Sequence, residues 1–132
     1  MNRKLALGAV AATAATMLFG LTGPAYAAGP AGAEACPSGS FCLYYNSPQY
    51  GWGAFEHWSP GVTDYLSDFT FRDWGNGSGY GQNVANNAAS VVNNTGVTWA
   101  VYNQAGTQLT SYAPGYSGSL AHPNNDWSMY GG

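Results

Sequence analysis

Two cysteines, Cys36 and Cys42, stand six positions apart in the stretch CPSGSFCLYYNSPQYGWG. Thiols at short spacing relay electrons, hold a metal or close a covalent loop. A metal would need further ligands, and the only histidines, His57 and His122, stand alone in the sequence. Pro37-Ser38-Gly39 between the cysteines is a turn-forming run that can bring their Cα atoms within bridging reach. Catalytic patterns are sparse. Glu56 and His57 are adjacent, an acid beside a base, but neighbours on a strand point to opposite faces and cannot serve one substrate together. Asp64, Asp68 and Asp73 could gather as glycosidase acids do. Three acids around exposed turns more often form a solvated edge. The sequence contains no H-E-x-x-H and no G-x-S-x-G, and a disulfide would leave no free thiol. These patterns argue against an enzyme.

Aromatic residues are the remaining chemical asset, with five Trp and, beyond Tyr26, nine Tyr. Planar rings among Asn, Gly and Ser suit a carbohydrate surface or a protein-recognition surface, or simply fill a core. Trp99, Phe55, Phe69 and Phe71 are expected inside. Trp52, Trp74 and Tyr80, beside glycine-rich turns, are expected at the surface.

The chain that positions these residues opens with Arg3 and Lys4, an apolar run from Leu5 to Leu21, and a small-x-small site at Ala25-Tyr26-Ala27. That is the pattern of a secretory signal peptide over residues 1–27. The run is short for a membrane-spanning helix and ends in Gly23-Pro24, without a stop-transfer charge cluster. A secreted, extracellular protein in an oxidising compartment is expected, with Cys36 and Cys42 paired as a local staple. Residues 28–35 (AGPAGAEA) have linker composition and are expected to be flexible, leaving one domain over 36–132. Beyond residue 27 the chain keeps a single cation, Arg72, against all six acids. Such a balance excludes a nucleic-acid binder and a polybasic membrane-surface mode. A soluble protein, expected to be monomeric, remains.

Short strands separated by Gly, Pro and Asn turns are predicted at Ser40–Tyr45, Ala54–Trp58, Leu66–Arg72, Ala89–Asn93, Thr98–Asn103, Thr107–Tyr112 and, more weakly, Asp126–Tyr130. Asp73–Gln82 (DWGNGSGYGQ) is predicted as a long surface loop. A faint repeat runs through the domain. Cys42–Asn46 aligns with Trp99–Asn103 at a shift of 57, which also carries Phe55 onto Tyr112. Asn86-Asn87-Ala88-Ala89-Ser90 aligns with Asn124-Asn125-Asp126-Trp127-Ser128 at a shift of 38. Two such four-strand units predict an all-β sandwich of two Greek-key motifs.

CPSGSFCLY at Cys36–Tyr44, the aromatic and glycine hairpin Tyr44–Gly53, and NNAASVVNNTG at Asn86–Gly96 resemble the βγ-crystallin superfamily. More narrowly, they resemble peptidase inhibitor family thirty-six, the streptomycete metalloproteinase inhibitor type. The resemblance implies a crystallin-like sandwich, an extracellular location and inhibition of a protease, in the first place a metalloprotease. In the inhibitory type the protease-binding loop is a disulfide-tied excursion in the second half. Here the matching turn, Asn103-Gln104-Ala105-Gly106, is short and contains no cysteine. With the longer Asp73–Gln82 loop, through Trp74 and Tyr80, it makes up the candidate inhibitory surface. Crystallin-like domains also bind calcium through a motif close to [N/D]-[N/D]-x-x-[S/T]-S. Here Asn87, Ser90, Asn125, Asp126 and Ser128 are the matching candidates, although both copies lack the final serine and hold one carboxylate between them. Calcium prefers several oxygens including carboxylates, so any binding is expected to be weak, and no cofactor is required. The alternative implied by the superfamily is a calcium- or glycan-binding domain acting at the cell wall or against competitors, with polysaccharide as its partner.

Overall fold

The computed structural model describes residues 32–132. The signal-peptide reading of residues 1–27 lies outside them. Of the predicted flexible segment, residues 32–35 are described, and Ala33–Ala35 forms a single 3-10 turn.

Eight strands follow: β1 Phe41–Tyr44, β2 Phe55–Trp58, β3 Val62–Tyr65, β4 Ser90–Asn93, β5 Trp99–Tyr102, β6 Gln108–Tyr112, β7 Ser117–Ser119 and β8 Ser128–Gly131. They build two antiparallel four-stranded sheets, in the orders β2-β1-β4-β7 and β3-β8-β5-β6. Replacing β1, β2, β3 and β4 by β5, β6, β7 and β8 turns one order into the other. The chain is therefore two equivalent four-strand halves, each lending its third strand to the sheet of the other.

The facing sides of the sheets share one core, in which Phe41, Leu43, Trp58 and Val91 meet Trp99, Val101, Tyr112 and Met129. Its centre is a parallel stack of Phe41 on Trp99, with ring centroids 4.4 Å apart and planes 7° off parallel. Those two residues are equivalent positions of the halves, offset by 58 rather than by the 57 of the sequence alignment. Side chains alternate along a strand, so a slip of one residue exchanges the two faces. Cys42, aligned with Trp99 in the sequence, in fact faces away from this core. The counterpart of Tyr112 across the first strand is likewise Trp58 and not Phe55, because Phe41 pairs with Trp58 as Trp99 pairs with Tyr112. The second-half hairpin is shorter, and the offset changes through it.

All four residues of β1 are buried, because its sheet is covered on both faces. On the outer face Cys36, Cys42, Tyr44, Phe55 and Val92 pack together beneath Ala33, Ala35 and Trp52. The predicted disulfide is present, Cys36 to Cys42, with Cα atoms 5.9 Å apart. It closes only a small ring, so in the chain-entropy account it stabilises by about 2 kcal/mol. Replacing both cysteines by alanine should lower the unfolding free energy by that amount and leave the far sheet intact, as chemical denaturation and amide exchange would show.

Two predictions about strands need correction. Leu66–Arg72 is not a strand: Leu66–Asp68 is a 3-10 turn, and beyond it Thr70 makes only an isolated bridge to Asn83. Beta strand β3 precedes it instead, and β7 was not predicted at all. VTDY and SGS carry almost no apolar alternation because neither strand contains a buried residue, whereas the other two edge strands, β2 and β6, each do.

Candidate functional site

The β5–β6 hairpin ends in Asn103-Gln104-Ala105-Gly106. The Gly106 N–H donates to the Asn103 carbonyl at 3.0 Å, closing a four-residue turn, and the Asn103 N–H donates to the Thr107 carbonyl at 3.0 Å. Asn103 Oδ1 also accepts the Thr107 N–H at 2.9 Å. Gly106 sits at φ 84, the left-handed conformation that lets the strand resume after such a turn. A register shift between Val101 and Tyr102 marks the extra residue. Gln104, Ala105 and Gly106 are exposed at the tip. Three hydrogen bonds and one left-handed glycine thus hold this tip in place of a disulfide.

Beside the tip lies a groove of about 440 Å³, lined by the turn and by Tyr65, Tyr102, Trp127 and Tyr130. Sheet register explains why these rings meet. Tyr65 and Tyr102 both oppose Ser128, and Tyr130 opposes Thr63, so all stand on the outer face of the second sheet. Tyr65 is 63% exposed. Sequence reasoning missed Tyr65 and Tyr130, because β3 was not recognised and the side of β8 was not assigned.

Trp74 and Tyr80 are also exposed and lie 5.1 Å apart by ring centroid, but they are not among the residues lining this groove. Their loop is pinned along the β1–β2 hairpin. The Ser78 carbonyl accepts the Ala54 N–H at 2.8 Å, and Asn76 Nδ2 donates to the Gly51 carbonyl at 3.1 Å. A Cβ at Gly79 would run into the Tyr45 ring, so the loop lies flat there.

The two N-N-x-x-S corners meet each other. The Asn86 N–H donates to the Asp126 carbonyl at 2.6 Å, and the Asn124 N–H donates to the Ala88 carbonyl at 2.8 Å. Ala88 and Asp126 are equivalent positions, so this is one reciprocal pair of bonds. Asn86 and Asn124 both hold left-handed backbone, φ 60 and 61. The calcium candidates are largely engaged with backbone. Ser90 Oγ donates to the Asn46 carbonyl at 2.6 Å, and Asn87 Nδ2 donates to the Asn83 carbonyl at 2.8 Å. Asn125 is exposed and Ser128 half-buried. Asp126 is fully buried: Oδ1 accepts the Ala88 N–H at 3.2 Å, while Oδ2 has no hydrogen-bond partner. Burial pushes its pKa up to about 7 against the pull of that bond and of its own N–H.

At the β2 edge the structure overturns the opposite-faces argument for Glu56 and His57. The Glu56 carboxylate curls round the edge to accept the His57 backbone N–H, and its Oε1 stands 4.0 Å from His57 Nδ1. His57 Nδ1 in turn meets Asp73 Oδ2 at 2.6 Å. Arg72 Nε donates to Glu56 Oε2 at 2.7 Å. Glu56 is 1% exposed and Arg72 67%. Arg72→Ala would strand a buried carboxylate, and about 1–3 kcal/mol of stability should be lost in a urea titration. The mobility of the exposed partner keeps the figure below that of a fully buried pair.

A family model for peptidase inhibitor family I36 matches residues 29–121, a span that includes the exposed turn and seven of the eight strands. The chain belongs to peptidase inhibitor family I36. No curated protein and no solved structure matches it. Membership gives the I36 chain a protease as its partner, and the exposed turn lies within the matched span. Among the described residues no helix is long and apolar enough to cross a membrane.

Proposed function

We propose that the protein is a secreted inhibitor that seats the Asn103–Gly106 tip in the cleft of an extracellular metalloprotease, acting by binding rather than catalysis. Family membership supports the inhibitor reading. The observation that carries the choice of loop is the closed hydrogen-bonding of an exposed tip. Docking a rigid loop loses little ordering entropy, and that saving separates a tight inhibitor from a substrate. The tyrosine groove beside it offers ring surface to the rim of the cleft, where Tyr contributes large contact area at low entropic cost. The resemblance to the streptomycete type points to metalloproteases. The protein's excess of acids favours a cleft that is not itself acidic.

The test is inhibition of a panel of thermolysin-like, serine and cysteine proteases by the purified protein. Inhibition of a metalloprotease at near-stoichiometric ratio is expected. Indifference of every protease at high molar excess would sink the proposal. Gly106→Ala forces a side chain into left-handed backbone at a cost of about 1 kcal/mol in the turn. Its inhibition constant should rise about tenfold, while the unfolding midpoint moves by only a few degrees.

A further inference from the structure

The groove beside the inhibitory turn has an equivalent in the other half. It measures about 620 Å³ and lies between the β1–β2 hairpin, the Asn86–Asn87 corner and Ser119 of β7. Each groove is bounded by the hairpin after a half's first strand, by that half's N-N-x-x-S corner, and by the third strand lent from the other half. Their chemistry differs. Five carboxamide side chains and two tyrosines, Tyr45 and Tyr50, line the second groove, and it contains no acid and no base.

Such a lining selects its ligand. A charged ligand would find no counter-charge, and an apolar one would strand the amides without partners. A neutral polyhydroxylated ring fits both parts of the lining. Each carboxamide donates and accepts without charge, and an aromatic ring takes the apolar face of a sugar. The groups are also available. The carboxamides of Gln49, Asn86 and Asn124 make no hydrogen bond within the described residues. Tyr50 is 72% exposed. Tyr45 is half-buried, with Phe71 edge-on at 5.7 Å and Gly79 against its ring, so the open ring of the groove is that of Tyr50. Asn86 and Asn124 are fixed at the backbone by their reciprocal bonds. Glycine would meet those φ values with less strain, as it does at many other turns of this chain, so asparagine there adds a fixed carboxamide at the rim.

We propose that this groove binds a neutral saccharide chain, so that one half of the molecule engages the protease and the other a glycan. The experiment titrates the purified protein with cellohexaose, laminarihexaose and chitohexaose by calorimetry, with polygalacturonate as the charged control. Saturable binding of at least one neutral hexasaccharide is expected. Tyr50→Ala should weaken it about tenfold or more. The Asn86→Gly, Asn124→Gly double variant keeps the left-handed backbone while removing both carboxamides, and it should weaken binding similarly at an unchanged unfolding midpoint. Gln49→Ala, at an exposed position, gives the same reading if the double variant unfolds. Protease inhibition should persist in all of them. The proposal is overturned if no neutral hexasaccharide binds at millimolar concentration. It also fails if only polygalacturonate binds, or if the folded variants bind as the parent does.

Discussion

Replacing Trp99 by alanine is expected to cost about 3–5 kcal/mol, the largest loss of any single substitution in this protein. The indole is fully buried and stacks on Phe41, and its Nε1 donates to Thr95 Oγ1 at 2.9 Å. Removing it empties the space between the sheets at the junction of the two halves and leaves the Thr95 hydroxyl short of a partner. A domain of about a hundred residues has roughly 5–15 kcal/mol of stability to lose, so the loss removes a large share of it and the variant's urea midpoint should fall well below the parent's. Gly131 packs so closely on this indole that a Cβ there would collide with it. Gly131→Ala should therefore destabilise by the opposite fault, overpacking. Circular dichroism against urea for both variants tests the claim; a Trp99→Ala midpoint within experimental error of the parent would refute it.

Asp126→Asn is expected to stabilise the protein at neutral and alkaline pH. The folded carboxyl has its pKa raised to about 7 by burial, against an unfolded value of 3.8. Between those values the folded state holds a proton that the unfolded state has released. Unfolding free energy attributable to this group therefore falls as pH rises from about 4, and levels off above about 7. The full difference is on the order of 4 kcal/mol at 1.36 kcal/mol per unit. Asparagine keeps the Ala88 N–H bond through its own oxygen and never ionises. The gap in stability between variant and parent should be near zero at pH 4 and open to its maximum above pH 7. A constant gap across that range would show that the carboxyl does not titrate as described.

How much of this was legible in the residues depended on burial. Strand β1 stood out as a continuous apolar run because its sheet is covered on both faces. The repeated Asn pairs located both corners, because left-handed backbone favours Asn. The exchanged strands β3 and β7 did not stand out, since neither contains a buried residue and so neither needs an apolar period. The half-to-half offset slipped by one because Cys42 and Trp99 are both apolar, and only the facing sheet decides which side each takes. The candidate turn was found through the resemblance to the inhibitor family, whose protease-binding loop lies in the second half. Its rigidity was hidden, because the Asn103–Thr107 bonds show only once φ of Gly106 is known. The tyrosine groove was hidden for a plainer reason: its rings come from three strands, one of which was not foreseen.

The loan of third strands between the halves has a kinetic consequence. β3 must wait for β8, more than sixty residues later in the chain, before its backbone is paired. β7 closes on β4 only after the second half has begun to form. Contacts this distant in sequence slow folding, because loop closure must precede them. They also deny either half a separate opening: frayed alone, a half would tear a strand from its neighbour's sheet. Unfolding should be one slow, global event, with few locally opened states for a protease to cut. For a molecule whose partner is a protease, a barrier of that kind protects the inhibitor from the enzyme it meets.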